Sequence, residues 1–159
     1  MKIFKFLNLL FLLLAIISCS EVEQESVYID PDHEIPDFQD LEWINSDPIS
    51  IGESIGGGEI VLIDFWTYTC VNCIRTFPFL NEWDQKYRDS GLKIIGVHTP
   101  EFEFEKEIKN IKKSVEKYNL QYPIVLDNDF EIWYEFKNRY WPAKYLFNSK
   151  GEIVYTHFG

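Results

Sequence analysis

Two cysteines with two residues between them, Cys70 and Cys73, follow closely after an apolar run over residues 60–66. The length and apolarity of this run predict a buried β-strand, and the pattern after it predicts a helix over 71–88. Unpaired backbone N–H groups and the positive end of the helix dipole favour a thiolate at the start of such a helix. We therefore expect a strand that delivers a reactive thiol to the first turn of a helix.

Strand and helix patterns alternate along the rest of the chain. A second strand is predicted over 92–98, a short one over 122–126, a helix near 130–136, and a closing β-hairpin from 143–147 and 152–157. One amphipathic helix is predicted from apolar residues at helical spacing: Phe104, Ile108, Ile111, Val115 and Tyr118. Parallel βαβ units that end in a hairpin predict an α/β protein, a mixed central sheet with flanking helices on both faces.

The start of the chain has the pattern of an export signal. Lys2 and Lys5 precede an apolar run over residues 9–17, which is too short to span a membrane and is typical of a signal peptide. The sequence Ile16-Ile17-Ser18-Cys19 that ends this run resembles a bacterial lipobox. The resemblance implies that residues 1–18 are a lipoprotein signal peptide and that Cys19 becomes lipidated. A plain secretory signal and an uncleaved anchor remain alternatives.

Composition limits the partners and the compartment. Residues 19–37 are acidic and predict a tether, which leaves 38–159 for one domain, with a small hairpin expected over 38–55. The formal net charge of -11 excludes nucleic acid as an expected partner. If Cys19 carries lipid, the other two cysteines form one pair, and an exported compartment allows that pair to cycle.

Two motifs resemble a known family. The stretch Asp64-Phe-Trp-Thr-Tyr-Thr-Cys-Val-Asn-Cys73, with Pro78 after it, resembles a thioredoxin-superfamily active site, and residues 139–151 resemble the stretch that carries its cis-proline. The helical insertion between Gly91 and Pro123, the Trp-Thr-Tyr-Thr-Cys opening and the exported anchor resemble the TlpA-like branch, often labelled AhpC/TSA. This resemblance implies a thioredoxin-like fold over residues 38–159.

The same resemblance implies a function and a location. Proteins of this branch are membrane-anchored thiol–disulfide oxidoreductases of the bacterial envelope. We therefore expect a redox-active Cys70–Cys73 disulfide that exchanges electrons with exported client proteins and with an upstream donor. No cofactor and no metal are expected.

The resemblance also implies roles for individual residues. Cys70 is the expected nucleophile and Cys73 the resolving thiol. Asp64 lies in the middle of an apolar strand, where burial raises a carboxyl pKa, and is expected to relay a proton to the resolving thiol. Glu101, just after the second strand, is a further candidate acid. Trp66, Trp141 and Pro142 are expected to form the client-binding surface, with a cis bond before the proline.

Two other functions remain open on the sequence. Thr67 lies three residues before Cys70, as in peroxiredoxin-type thiol peroxidases, but Ile63 stands where their motif begins with proline. A copper carrier of the same fold would bind metal through the cysteines and a distant His98 or His157. A fold relative without activity is the remaining alternative.

The sequence ends at Gly159, directly after the last predicted strand, whereas the resembled fold continues into a C-terminal helix. We therefore expect that helix to be missing from this sequence. An uncovered sheet face would lower stability or expose an apolar patch.

Overall fold

We describe residues 38–159 of a computed structural model of the chain. The predicted signal peptide, the predicted lipidation site Cys19 and the predicted tether lie outside the described residues. The strands are β1 (Trp43–Ile44), β2 (Ile60–Trp66), β3 (Leu92–His98), β4 (Ile124–Leu126), β5 (Ala143–Phe147) and β6 (Ile153–Phe158). The α-helices are α1 (Ile51–Ser54), α2 (Val71–Tyr87), α3 (Ile108–Lys117) and α4 (Glu131–Glu135), and 3-10 turns span Arg88–Ser90 and Glu103–Lys106.

The strands form one mixed sheet in the order β1-β4-β3-β2-β5-β6. β2, β3 and β4 are parallel, while β1, β5 and β6 are antiparallel to their neighbours. The predicted fold class, α/β with a mixed thioredoxin-like sheet and flanking helices, is confirmed. In the part of the chain that the structure describes, no helix has the length and apolarity needed to cross a membrane.

Alternate side chains of the central strand β2 enter two separate cores. Ile63 and Phe65 point to the face that we call the α4 face, where α4 packs. Leu62 and Trp66 point to the opposite face, the α2 face, where α2 and α3 pack. Because successive residues of a strand point to opposite sides, Asp64 shares the α2 face with Leu62 and Trp66.

The hairpin predicted over 38–55 is wrong. β1 instead pairs antiparallel with β4, through the partners Trp43–Val125 and Ile44–Ile124. The second apolar patch of the segment forms α1, because the Ser50 hydroxyl accepts the N–H of Glu53 and caps the helix.

The predicted amphipathic helix begins later than its apolar spacing indicated. α3 spans Ile108–Lys117, and Phe104 lies in the separate 3-10 turn with 55% of its surface exposed. The Glu105 carboxylate folds back onto the N–H groups of Glu101 and Phe102, and this contact closes the turn before α3 begins. Phe104 is therefore a surface residue and not part of the helix core.

An open apolar groove of about 540 Å³ lies between α2 and strands β5 and β6. Its lining includes Leu62, Phe79, Trp83 and Leu146, with Thr76 and Lys144 among the polar residues. Phe79 and Trp83 are 58% and 41% exposed, so an apolar patch is present on the α2 face as expected. No helix among residues 38–159 covers it.

Candidate active site

Cys70 is the N-cap of α2. A turn closes before it, where the N–H of Cys70 donates to the carbonyl of Thr67, and α2 follows directly. The Cys70 sulfur accepts the N–H of Cys73 at 3.1 Å, so the helix start already supplies a donor to this sulfur. Such a donor stabilises a negative charge on sulfur.

Cys70 and Cys73 form a disulfide, with Cα atoms 5.2 Å apart. Cys70 is half-buried, whereas Cys73 is completely buried among the apolar side chains of the α2 face. The two sulfurs therefore differ in access, and an incoming thiol or disulfide reaches Cys70 first.

Asp64 forms a buried ion pair with Lys144. Their strands pair in register, with Asp64 opposite Lys144, and Lys144 Nζ lies 2.8 Å from Asp64 Oδ1. Burial raises the pKa of the Asp64 carboxyl, and the Lys144 charge and hydrogen bond lower it only in part. Asp64 is therefore a buried acid whose proton affinity depends on one lysine, which the sequence analysis did not identify.

Lys144 also connects the ion pair to the helix that carries the cysteines. Its Nζ donates to the Thr76 hydroxyl at 3.2 Å, and that hydroxyl donates to the carbonyl of Cys73 at 2.8 Å. Lys144 and Thr76 both line the open groove. The network therefore extends from the groove through Lys144 to the buried carboxylate and to the turn of α2 at Cys73.

Trp66 does not lie on the client-accessible surface. It is fully buried, and its ring contacts Phe77 and His98 edge-on at centroid distances of 5.2 and 4.8 Å. The prediction that Trp66 binds a client is therefore wrong, because strand alternation directs its ring into the core of the α2 face. Tyr68, two residues later, is partly exposed and stacks on the outer side of His98 at 5.9 Å.

The acid that reaches the cysteine loop is Glu105 and not Glu101. The Thr69 hydroxyl, next to Cys70, donates to Glu105 Oε1, and Glu105 Oε2 accepts the N–H groups of Glu101 and Phe102 at 2.6 and 3.0 Å. Glu101 itself is exposed and contributes its backbone N–H. The prediction of Glu101 is corrected to Glu105 as the acid in contact with this loop. No capping-box motif marks Glu105, because Phe102 has no side-chain hydrogen-bond acceptor.

The Glu105 carboxylate is held in its charged form. Burial acts to raise the pKa of this carboxyl, but hydrogen bonds from Thr69, Phe102, Thr67 and Glu101 outweigh it and lower the pKa overall. His98 behaves differently: burial lowers its pKa to about 4. His98 is therefore neutral near pH 7, with its Nε2 3.4 Å from the Thr67 hydroxyl.

The bond between Trp141 and Pro142 is cis, as predicted. Trp141 Nε1 donates to the carbonyl of Thr99 at 3.0 Å, and its ring packs on Trp133 of α4 with centroids 4.1 Å apart. Pro142 is buried and Trp141 half-buried. Trp141 therefore joins the loop after β3 to α4 and keeps part of its surface exposed.

Asp127, which the sequence analysis missed, fixes the start of α4. Its carboxylate accepts the N–H groups of Ile132 and Trp133 at 3.0 and 2.9 Å and the Thr99 hydroxyl at 2.9 Å. Burial raises its pKa to about 6 despite these hydrogen bonds. Asp127 therefore supports Trp133, against which Trp141 packs.

The side chains expected to serve a thiol peroxidase or a copper carrier contact groups other than the cysteine pair. Thr67 is fully buried, and its hydroxyl faces His98 and Glu105. The exposed His157 contacts the carbonyl of Gly159 through Nε2. Over residues 38–159, no group of three or more His, Cys, Asp or Glu side chains is placed to hold a metal ion.

The fold and the site together define a thioredoxin-like protein with a dithiol–disulfide centre. Residues 31–156 match the model of the AhpC/TSA family, and the chain belongs to that family. It is 44% identical over 128 residues to Protein DipZ of Mycobacterium tuberculosis, covering 78% of this chain and 18% of DipZ. NHL repeat-containing protein 2 of Homo sapiens is 39% identical over 131 residues, covering 80% of this chain and 18% of that protein. The chain thus spans about a fifth of these two relatives.

A relative of similar size is the thiol-disulfide oxidoreductase YkuV of Bacillus subtilis, 31% identical over 74% of this chain and 77% of YkuV. The oxidised form of a thioredoxin-like protein in solution has a TM-score of 0.71 at 28% identity, covering 82% of this chain and 87% of that one. StoA from Bacillus subtilis has a TM-score of 0.63 at 26% identity, covering 75% and 85%. YkuV carries in its name the enzyme class predicted for this chain, thiol-disulfide oxidoreductase.

Proposed function

We propose that this domain exchanges disulfides with exported client proteins, with Cys70 as nucleophile and Cys73 as resolving thiol. The observation that carries the proposal is the pairing of an accessible sulfur at a helix start with a fully buried one. The first sulfur has a backbone N–H donor 3.1 Å away, and the second is bonded directly to it.

The exchange balances as two thiolate substitutions. The Cys70 thiolate attacks one sulfur of a client disulfide, and a Cys70–client mixed disulfide forms while the other client sulfur leaves as a thiolate. The Cys73 thiolate then attacks the Cys70 sulfur and releases the second client thiolate. The client gains two electrons and the domain becomes oxidised; an upstream dithiol restores the reduced domain, and the reverse order oxidises a client.

Asp64 takes the proton that Cys73 must lose before it can attack. A buried carboxylate with a raised pKa is a better proton acceptor than an exposed one, and Lys144 keeps it ionised in part of the cycle. The exposed part of Trp141 and the backbone before Pro142 receive the client segment beside Cys70. Glu105 holds the loop of Cys70 through Thr69.

We place the domain at the bacterial envelope, attached to a membrane through a lipid on Cys19. The lipobox-like sequence and the signal-like start support this location. Metabolic labelling with a palmitate analogue should mark the full chain and not its Cys19→Ala variant. Equal labelling of both would contradict the anchor and leave the redox proposal standing.

Trapping tests the redox proposal. The reduced full chain carrying Cys73→Ser should form a stable mixed disulfide with insulin, because its Cys70 attacks but no second thiol resolves the adduct. Mass spectrometry should place the link at Cys70. The matched Cys70→Ser variant should form less than a tenth of that adduct, since Cys73 is buried. Equal adducts in the two variants, or none in either, would refute the assignment.

A further inference from the structure

Two phenylalanines stand exposed beside the cysteine loop. Phe102 and Phe104 are 50% and 55% exposed, and their rings stack with centroids 5.5 Å apart and planes only 3° from parallel. We call this pair the Phe102–Phe104 platform. Single exposed rings are common on protein surfaces, but two exposed rings stacked on each other beside a reactive site form a candidate binding surface.

The platform is tied to the cysteine loop by two contacts. Tyr68 donates its hydroxyl to the carbonyl of Phe104 at 3.2 Å, and its ring meets Phe104 edge-on at 6.5 Å. Glu105, between the platform and α3, bonds the Thr69 hydroxyl directly before Cys70. These contacts fix the position of the platform relative to the Cys70 sulfur.

Negative charge surrounds the platform. Glu101, Glu103 and Glu107 are exposed; Glu101 and Glu103 directly precede Phe102 and Phe104, and Glu107 follows Phe104 by three residues. Lys106 pairs with Glu103 at 3.2 Å, which leaves the local charge negative. An apolar surface with an acidic rim is complementary to a segment that carries an aromatic or aliphatic side chain next to a basic one.

We propose that the Phe102–Phe104 platform binds the client segment beside its reacting cysteine and selects clients with an apolar residue followed by Lys or Arg there. This inference rests on the proposed disulfide exchange and adds its substrate class. The apolar side chain packs on the stacked rings, and the basic one lies near the glutamates. The client sulfur is thereby brought to Cys70.

Four glutathionylated peptides test the proposal: their single cysteine is flanked by Phe-Lys, Ala-Lys, Phe-Glu or Ala-Glu. The reduced full chain is mixed with each peptide, and the second-order rate constant for reduction of the peptide in a single turnover is measured. The Phe-Lys peptide should react about 10 to 25 times faster than Ala-Glu, with the other two between, because one aromatic contact and one rim charge each change a rate by about threefold to fivefold.

Variants separate the two parts of the surface. Phe102→Ala with Phe104→Ala should remove the preference for Phe, so that the Phe-Lys and Ala-Lys peptides react at rates within about twofold of each other. Glu103→Gln with Glu107→Gln should remove the preference for Lys and its dependence on salt. Tyr134→Ala is the matched control, because it deletes a 72% exposed ring on α4 and should change no preference.

Three outcomes would overturn the inference. If the double alanine variant reduced all four peptides more slowly by the same factor, the platform would have a structural role only. Equal rates of the unmodified chain on all four peptides would remove the proposed selectivity while leaving disulfide exchange intact. A wild-type dimer that the double alanine variant converts to monomer, with peptide preferences unchanged, would assign the platform to a second copy of the chain. Failure of the exchange itself appears separately, as no reduction of any peptide.

Discussion

The two faces of the sheet are built from the same strands but differ in polarity and closure. On the α4 face, Phe65 contacts the rings of Trp133, Phe136 and Tyr145 at centroid distances of 5.5–5.8 Å, and the cluster is apolar. On the α2 face, an ion pair of Asp64 and Lys144 lies among apolar residues beside an open groove.

This difference assigns stability to one face and chemistry to the other. The aromatic cluster gains from burial and close packing, and burial raises the pKa of its Tyr145 hydroxyl further from neutral pH. A buried ion pair contributes little net stability, because desolvation offsets its attraction. Its proposed role next to the cysteine helix is therefore to set the proton affinity of Asp64.

The largest effect is expected on the α4 face. Phe65→Ala removes a ring held by three others, and we expect a loss of about 4 kcal/mol in the free energy of unfolding. The pH profile of disulfide exchange should remain unchanged, because Phe65 points away from Asp64. Urea unfolding and stopped-flow rates measure the two quantities, with Phe65→Leu as the milder control. A shifted pH profile in the folded variant would show that the faces are coupled.

Next comes Lys144→Met, which leaves the Asp64 charge buried without its partner. We expect the free energy of unfolding to fall by about 3 kcal/mol near pH 7. This value is at the lower end of the range for a buried ion pair that loses one partner. The loss should shrink at acid pH: without Lys144 the pKa of Asp64 rises further, and protonation below that pKa removes the unpaired charge. Urea midpoints at pH 5 and pH 8 measure this.

The double variant Asp64→Leu with Lys144→Met is the control for the ion pair. It should recover the stability lost by Lys144→Met or exceed the wild type by about 1 kcal/mol, since an apolar pair replaces a desolvated one. Its resolving step should nevertheless be slow below pH 8, because Cys73 lacks a proton acceptor. Fast resolution at pH 7 in this variant would remove Asp64 from the mechanism.

The sequence predicted the strands and helices of the two faces better than it predicted the contacts between them. β3 was predicted at its observed bounds, and the cysteine turn and the cis proline followed from a recognised motif. Strand periodicity also implied a buried Asp64. The hairpin prediction failed because the β1–β4 pairing is long-range and only two residues long, so no local pattern shows it.

The site residues that were missed depend on register or on local folding back. Lys144 is a charge in an apolar strand, and only the β2–β5 register places it opposite Asp64. Glu105 was missed because Phe104 fits the apolar spacing of α3. The predicted helix was therefore extended over the 3-10 turn that contains Glu105. Trp66 was assigned to the surface from its motif, although alternation from Asp64 already placed both on one side of β2.

A smaller, pH-dependent effect is expected from Asp127 at the start of α4. The pKa of Asp127 is about 6 in the folded protein and 3.8 for an ordinary Asp. The folded state therefore binds this proton more tightly than the unfolded chain does, and protonation of Asp127 stabilises the fold. This contribution is complete below pH 3.8 and is lost as the pH rises through about 6, by about 2 to 3 kcal/mol. The stability difference between wild type and Asp127→Asn should change by that amount between pH 4 and pH 7.5. Asp129→Asn, at an exposed neighbour, is the matched control variant. An equal stability difference between wild type and Asp127→Asn at both pH values would contradict the assignment.

The smallest effect is expected in the groove of the α2 face. Phe79→Ser with Trp83→Ser should lower the free energy of unfolding by about 1 to 2 kcal/mol, because Phe79 and Trp83 are only partly buried in the fold, with 58% and 41% of their surfaces exposed. Binding of an environment-sensitive dye should fall at the same time, since the groove loses its aromatic wall. A loss of 3 kcal/mol or more would mean that these rings are covered in the full chain, and the two faces would then both be closed.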